Sequence, residues 1–228
     1  IGEMYLLEML YDDSNIESVA FQSNMSLGLD DVVIYYKDDG IKCIQVKHSR
    51  ADETLTFASL VSPKEEGKAS ILSELAESWH KEKDNYKEII PQIITNRKIG
   101  KKESTTRTEA RFKRPALKDF WTLLKEQLQV ENIEFSDICF EGYDEAWNEW
   151  KEQIKAIPDD KDKIRFLRLL EIETEQPDLE LIEKKLVEEI VKIFGVSNEI
   201  AYSLFIRLDQ KMRYWTSSIR ESEKIEAE

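Results

Sequence analysis

The chain has 228 residues, of which 41% are hydrophobic and 10% aromatic, so it can bury a sizeable core and does not have the composition of a disordered protein. No apolar run approaches the roughly 20 residues that a membrane-spanning helix needs, and two distant cysteines in apolar segments predict buried, reduced thiols and a cytoplasmic protein. The formal net charge of −14 argues against nucleic-acid binding unless the basic residues are concentrated in one place.

The first fifty residues predict one helix followed by three strands. Apolar residues recur at helical spacing in "EMYLLEMLYDD", and β-branched or aromatic residues are frequent in "IESVAFQS", "DDVVIYY" and "IKCIQVKHS". The turn "KDDG" predicts a hairpin between the second and third strands. If that hairpin is centred near residues 38 and 39, the numbers of paired residues add up to about 77, so Asp31 lies across from about position 46.

A long helix and a further strand follow. The segment "ASILSELAESWHKEKDNYKEI" is amphipathic with helical period, and "IPQIITN" has the apolar content of a buried strand. A strand, a helix and another strand in this order predict a crossover, which makes the two strands parallel neighbours.

After Pro115 the sequence predicts an acidic helical module. The segment "NIEFSDICFEG" is the exception, because its alternation predicts one more strand. We therefore expect a mixed-sheet core of the α/β (α+β) class over residues 1–114 and a helical module packed on it over residues 115–228. The predicted helices of the module are "ALKDFWTLLKEQLQ", "YDEAWNEWKEQIKAI", "DLELIEKKLVEEIVKIFG" and "SNEIAYSLFIRLDQKMRYWTSSI".

The basic residues are concentrated between Arg97 and Lys118, a segment that we call the basic belt. It contains nine basic and two acidic residues, so it carries +7 and leaves −21 on the rest of the chain. Such a belt favours contacts with phosphate groups, and a solvated loop is the alternative interpretation.

Three polar side chains are predicted to meet at one end of the sheet. Gln45 and Lys47 end a strand that is otherwise apolar, and they point to the same face because side chains alternate along a strand. Asp31 begins the neighbouring strand, on the face that Val33 also occupies. A carboxylate, an amide and an ammonium group at one rim suit the hydrolysis of a phosphodiester bond by a bound metal ion.

The predicted ligands of that metal are oxygen atoms. Asp31 supplies a carboxylate, Gln45 an amide oxygen and Val46 a backbone carbonyl, which are groups that Mg²⁺ or Mn²⁺ accepts. Glu3 is the expected ligand from the first helix, because it lies seven residues before Leu10 and so near the same face. Two alternatives stay open: Asp30 replaces Asp31 if the strand slips by one residue, and Glu8 replaces Glu3 if the helix is rotated.

The pattern "LDDVVIYY…IQVKHS" resembles the PD-(D/E)xK nuclease superfamily, in the variant that has Gln in place of the usual Glu. Together with the preceding helix and the strand "IITN", it is most similar to the Mrr-related domain of CD-NTase-associated endonucleases and STAND-type antiviral ATPases. The resemblance covers about residues 1–100. It implies a restriction-endonuclease-like fold, with Asp31, Gln45 and Lys47 as catalytic residues. It also implies cleavage of double-stranded DNA as the effector of an antiphage defence system.

The resemblance also implies partners. We expect a duplex to lie against the end of the sheet and the basic belt, and we expect either a homo-oligomer or a C-terminal sensor domain that is absent from this chain. The alternative is a catalytically inactive module of the same fold that binds nucleic acid or protein. The candidate DNA contacts are His48, Asn96, Arg97, Lys101, Lys102 and Arg107.

Overall fold

The computed structural model describes residues 1–21, 29, 31–49, 53–63, 67–106, 111–218 and 224–226, with backbone only for 215–218 and 224–226. Its centre is a mixed sheet whose strand order is β10-β1-β2-β3-β5-β9. Neighbours from β10 to β3 are antiparallel, and β3, β5 and β9 are parallel. The strands are β1 (Ile16–Phe21), β2 (Val32–Tyr36), β3 (Gly40–Val46), β4 (Thr54–Leu55), β5 (Glu88–Ile94), β6 (Lys98–Ile99), β7 (Ser104–Thr105), β8 (Lys113–Arg114), β9 (Glu171–Glu173) and β10 (Lys224–Glu226).

Helices cover both faces of this sheet, so the predicted mixed α/β fold with a helical C-terminal part is confirmed. One face packs against α2 to α6, and the other packs against α1 and α8. In the described part of the chain, no helix is long and apolar enough to cross a membrane. The helices are α1 (Gly2–Glu8), α2 (Phe57–Val61), α3 (Ile71–Glu82), α4 (Leu117–Leu128), α5 (Asp144–Gln153), α6 (Asp160–Leu169), α7 (Leu179–Phe194) and α8 (Asn198–Ser218).

The hairpin between β2 and β3 sets the register of the candidate site. Val32 pairs with Ile44 and Tyr35 with Ile41, so the paired residue numbers add up to 76 and not to the predicted 77. The reason is the turn, in which Asp39 adopts a left-handed conformation with φ of 68° and Gly40 already belongs to β3. Continuing the register by one residue places Asp31 across from Gln45, on the same face of the sheet.

The crossover from β3 to β5 is parallel, as predicted. Its helix α3 begins after Ser70, whose hydroxyl accepts a hydrogen bond from the backbone N–H of Ser73 at 3.1 Å. The helix ends at Glu82, earlier than the sequence pattern indicated, because the polar residues before β5 form a turn. Tyr86 lies in that turn and contacts Tyr35 of β2, with 6.2 Å between the ring centroids.

The segment around Ile138 is not a strand, so that prediction is wrong. It contains a short 3-10 turn at Phe135–Asp137, after which Ile138 and Phe140 are buried. The side-chain amide of Gln127 takes the place of a neighbouring strand, because it donates to the Cys139 carbonyl and accepts from the Cys139 N–H, both at 3.0 Å. The prediction of buried thiols is confirmed for Cys43 and wrong for Cys139, which is exposed because its segment is not a strand of the sheet.

The two halves of the chain share one hydrophobic cluster. Phe57 of α2 contacts Phe120 of α4 and Trp150 of α5, with ring centroids 5.0 and 5.5 Å apart. In addition, β9 joins the sheet beside β5, although it lies beyond the expected core. The helical part is therefore packed directly on the sheet along a continuous core.

Lys125 of α4 holds the C-terminal end of α6. Its Nζ donates to the carbonyl oxygens of Leu167, Arg168 and Leu170 at 2.9, 2.9 and 2.7 Å. Carbonyl groups at a helix end have no partner within the helix, so this ammonium satisfies them. Burial lowers the pKa of Lys125 to about 8, and the side chain is therefore still charged at neutral pH.

We expect Lys125→Met to lower the free energy of unfolding by about 1–3 kcal/mol, because three carbonyls, two of them in partly buried contacts, lose their donor while the apolar stem is kept. Urea denaturation followed by circular dichroism measures the change. Lys155→Met is the matched control, since Lys155 is exposed and bonds only Glu152 at the surface. Equal effects of the two substitutions would contradict the capping role.

Candidate functional site

Asp31 lies at the start of β2 and is held by two donors from β3. One carboxylate oxygen, Oδ2, accepts a short hydrogen bond from Nε2 of Gln45 and a second from the backbone N–H of Val46 at 2.8 Å. Gln45 is 7% exposed, so its amide has little freedom to turn away from this partner. The register of the hairpin therefore brings Asp31 to Gln45, one residue away from the predicted partner position 46.

Lys47 is the next residue on the same face. The pairing of β3 with β5 continues one step beyond Val46, because the backbone N–H of Lys47 donates to the carbonyl of Ile94 at 2.9 Å. Strand alternation then places Lys47 on the side of the sheet that Gln45 occupies. The residue is half-buried, so the rim of the sheet presents an amide and an ammonium group in succession.

A cavity of about 380 Å³ opens on the other side of this rim. Asp31, Val46, Glu3, His48 and Asn96 all line it, so it brings together three of the predicted catalytic or metal-binding residues and two of the candidate DNA contacts. Gln45 and Lys47 are not part of its lining, and Gln45 bonds Asp31 from the face of β3 that points away from the cavity. Asp31 thus lies between the cavity and the Gln45–Lys47 face. Sequence reasoning missed the apolar part of the lining, which includes Phe21, Ile94, Pro177, Leu179, Ile182 and Met212.

Glu3 reaches this cavity because α1 lies directly on β1. A Cβ atom at Gly2 would collide with the ring of Phe21, so glycine allows the close approach. Leu10 is 50% exposed and does not mark a buried face of α1, so its spacing from Glu3 is not the reason that Glu3 reaches the cavity. Burial raises the pKa of the Glu3 carboxyl above its usual value. Glu8, the alternative, is exposed on another side of α1, in a groove between α1 and α7.

The candidate DNA contacts have different surroundings. Asn96 uses its amide to bond the backbone of Ser49, whereas His48 is exposed. Arg97 is only 15% exposed and forms an ion pair with Glu53 at 2.8 Å, so it stabilises the fold locally. Two further lysines of the basic belt, Lys101 and Lys102, are exposed.

The belt begins at the end of the sheet where Asp31 and Lys47 lie, because Ile94 of β5 pairs with Val46 of β3. Its first lysine in a strand, Lys98, lies in β6, four residues beyond Ile94 at the end of β5. Arg114, another basic residue of the belt, forms an ion pair with Glu149, with 2.8 Å between Nε and Oε2. Asp30 and Arg107, which were also predicted, lie outside the described residues.

The donor groups at the rim suit a hard divalent cation. A carboxylate from Asp31, the amide of Gln45, the carbonyl of Val46 and the carboxylate of Glu3 are all oxygen ligands, and Mg²⁺ typically takes one or two carboxylates and keeps several waters. Within the part of the chain that the structure describes, no group of three or more His, Cys, Asp or Glu side chains is close enough to bind a metal. A cation here would therefore depend on amide, backbone and water oxygens.

No family model matches the sequence, and no curated protein matches it. The site consists of a fixed carboxylate, an amide and a lysine at the rim of a mixed sheet, beside a cavity and a basic segment.

Proposed function

We propose that this chain is a metal-dependent endonuclease that hydrolyses phosphodiester bonds of double-stranded DNA. The observation that carries the proposal is the hydrogen-bonded unit of Asp31, Gln45 and Val46, with Lys47 next in sequence on the Gln45 face. The resemblance to Mrr-related effector domains adds the biological setting, which is antiphage defence in the cytoplasm.

Asp31 and Glu3 would hold Mg²⁺ or Mn²⁺ together with oxygens of Gln45 and Val46. When bound, the ion supplies a water of lowered pKa and stabilises negative charge on the phosphate. As an ammonium, Lys47 would add a positive charge at the rim and orient the phosphate. As a neutral amine, it would instead accept the proton of the attacking water. The bond from Val46 N–H keeps the Asp31 carboxylate aimed at this point.

The basic belt supports a nucleic-acid substrate. Exposed Lys101 and Lys102 can contact backbone phosphates, and such contacts dominate the affinity for DNA. The remaining −21 charge repels a duplex, so one subunit binds weakly. We therefore propose that cutting requires either a homo-oligomer, in which several belts share one duplex, or a sensor domain attached after this chain.

The direct test is incubation of the purified protein with supercoiled plasmid in Mg²⁺, in Mn²⁺ and in EDTA. We expect nicked and linear products with either metal and intact plasmid in EDTA, because the donor set at Asp31 needs an added cation. Single-stranded DNA and RNA of the same sequence, tested in parallel, show whether the duplex is preferred. Cutting that persists in EDTA, or no cutting under any condition, would contradict the proposal.

The second candidate function is a catalytically inactive module that binds DNA or a protein partner. It is favoured by one observation, namely that the described residues contain no group of three or more His, Cys, Asp or Glu side chains spaced for a metal. Titration of the protein with Mn²⁺ in a calorimeter separates the two candidates. Binding heat that Asp31→Asn removes supports the nuclease, and no heat with retained DNA binding supports the inactive module.

A further inference from the structure

We propose that Thr95 and Asn96, the two residues after β5, are positioning residues that hold Lys47 in its working orientation. The inference rests on the proposed nuclease function, and it gives Asn96 a role other than the DNA contact predicted from the sequence. Both residues lie beside the end of β3 because β3 and β5 are parallel and in register up to the pair Val46 and Ile94.

Asn96 clamps the chain just beyond Lys47. Its Oδ1 accepts a hydrogen bond from the backbone N–H of Ser49 at 2.9 Å, and its Nδ2 donates to the Ser49 carbonyl at 2.7 Å. The two bonds fix the orientation of the amide, since exchanging its oxygen and nitrogen would break both. The side chain therefore acts like one residue of a neighbouring strand, at a point where the sheet has already ended.

Thr95 holds Lys47 itself. Its Oγ1 donates to the Lys47 carbonyl at 2.5 Å and accepts from the backbone N–H of Arg97 at 3.2 Å. The Lys47 N–H is bonded to Ile94, so both backbone polar groups of Lys47 have partners on the β5 chain. With the backbone fixed at both ends, the direction in which the lysine side chain leaves the sheet is fixed as well.

Thr95 is also held from the side away from β3, by β9 and the segment after it. The backbone N–H of Thr95 donates to the carbonyl of Glu173 at 2.9 Å, and the N–H of Gln176 donates to the carbonyl of Thr95 at 3.2 Å. Thr95 is only 1% exposed, so water does not compete for these bonds. A rigid support of this kind matters for catalysis, because a misplacement of about 1 Å at a reacting group can cost about 10²-fold in rate.

The test compares cleavage by Asn96→Ala, Thr95→Val and Thr95→Ser at saturating metal. We expect the first two to lower kcat by about 10- to 100-fold while KM for plasmid stays within about threefold, because they disturb the lysine and not the DNA contacts. Thr95→Ser keeps the hydroxyl and should restore kcat to within about threefold of wild type. Asn85→Ala is the matched control, since Asn85 bonds only Glu82 in the turn after α3 and should change neither constant.

Hydrogen exchange of the Ser49 amide provides a readout that does not depend on activity. Its exchange should become faster in Asn96→Ala at an unchanged melting temperature, because the Asn96 acceptor is gone. A raised KM with unchanged kcat would assign Asn96 to DNA binding and overturn the inference, as would faster Ser49 exchange with no change in kcat. If the wild-type protein does not cut, the proposed function is wrong. Unchanged Ser49 exchange in Asn96→Ala would show that Asn96 does not hold the backbone of Ser49, and it would overturn this inference independently of the proposed function. Asn96→Ala decides the matter alone if Thr95→Val does not fold.

Discussion

Replacing Lys47 by methionine is expected to lower the rate of DNA cleavage by about 10²–10³-fold, the range found when one charge-stabilising group is removed from an active site. Methionine keeps most of the apolar stem, so packing at the end of β3 is preserved while the ammonium is lost. The measurement is plasmid cleavage under single-turnover conditions with Mg²⁺. The affinity for plasmid, measured in Ca²⁺, should change little because the exposed lysines of the basic belt remain.

Lys81→Met is the matched control for Lys47→Met. Lys81 is an exposed lysine of α3 that pairs with Glu77 at 2.8 Å, and nothing in the site depends on it. Its variant should cut like the wild type. If Lys47→Met also cuts at the wild-type rate while its fold is intact, the site has been assigned to the wrong residues.

Phe120→Ala is expected to cost about 3–5 kcal/mol of unfolding free energy, because it removes a fully buried ring from a well-packed core. The ring lies 5.0 Å from Phe57, 4.4 Å from Phe140 and 4.8 Å from Trp150, measured between centroids. Since Phe57 belongs to the first half of the chain and Trp150 to the second, both halves should lose stability together. Urea denaturation followed by tryptophan fluorescence and by circular dichroism should show the same lowered midpoint.

The control for Phe120→Ala is Phe194→Ala. Phe194 ends α7 and is 53% exposed, so its removal should change the free energy of unfolding by about 0.5 kcal/mol or less. If the two probes report different midpoints for Phe120→Ala, the halves unfold separately and the shared core does not couple them.

The strands of the first half could be predicted because their signal is local. Alternation and β-branched residues mark β1, β2, β3 and β5, and the crossover rule gives the parallel neighbour. By contrast, β9 has three residues and forms only by pairing with β5, so no local pattern indicates it. The helix before it, α6, was also not predicted, although Asp159 caps it by accepting from two backbone N–H groups.

The meeting of Asp31 and Gln45 was predictable because it also depends on local patterns. Period-2 alternation in β3 groups Gln45 with Lys47, and the hairpin brings Asp31 to Gln45, although the register was predicted one residue too far. The sequence could not predict that Leu179 and Met212 line the cavity, because α7 and α8 reach it only through tertiary packing. A count of charges likewise does not show that Arg97 forms an ion pair with Glu53.

The late position of β9 in the sequence has a consequence for the newly synthesised protein. Residues up to the end of β5 can emerge from the ribosome and pair with one another, yet Thr95 gains its bond to Glu173 only after a much longer nascent chain has been made. Because chains fold progressively as they are synthesised, the hydrogen bonds that hold Thr95, and through it Lys47, are completed late. A prematurely terminated product that stops before residue 171 therefore lacks the hydrogen bonds that β9 and the segment after it make to Thr95.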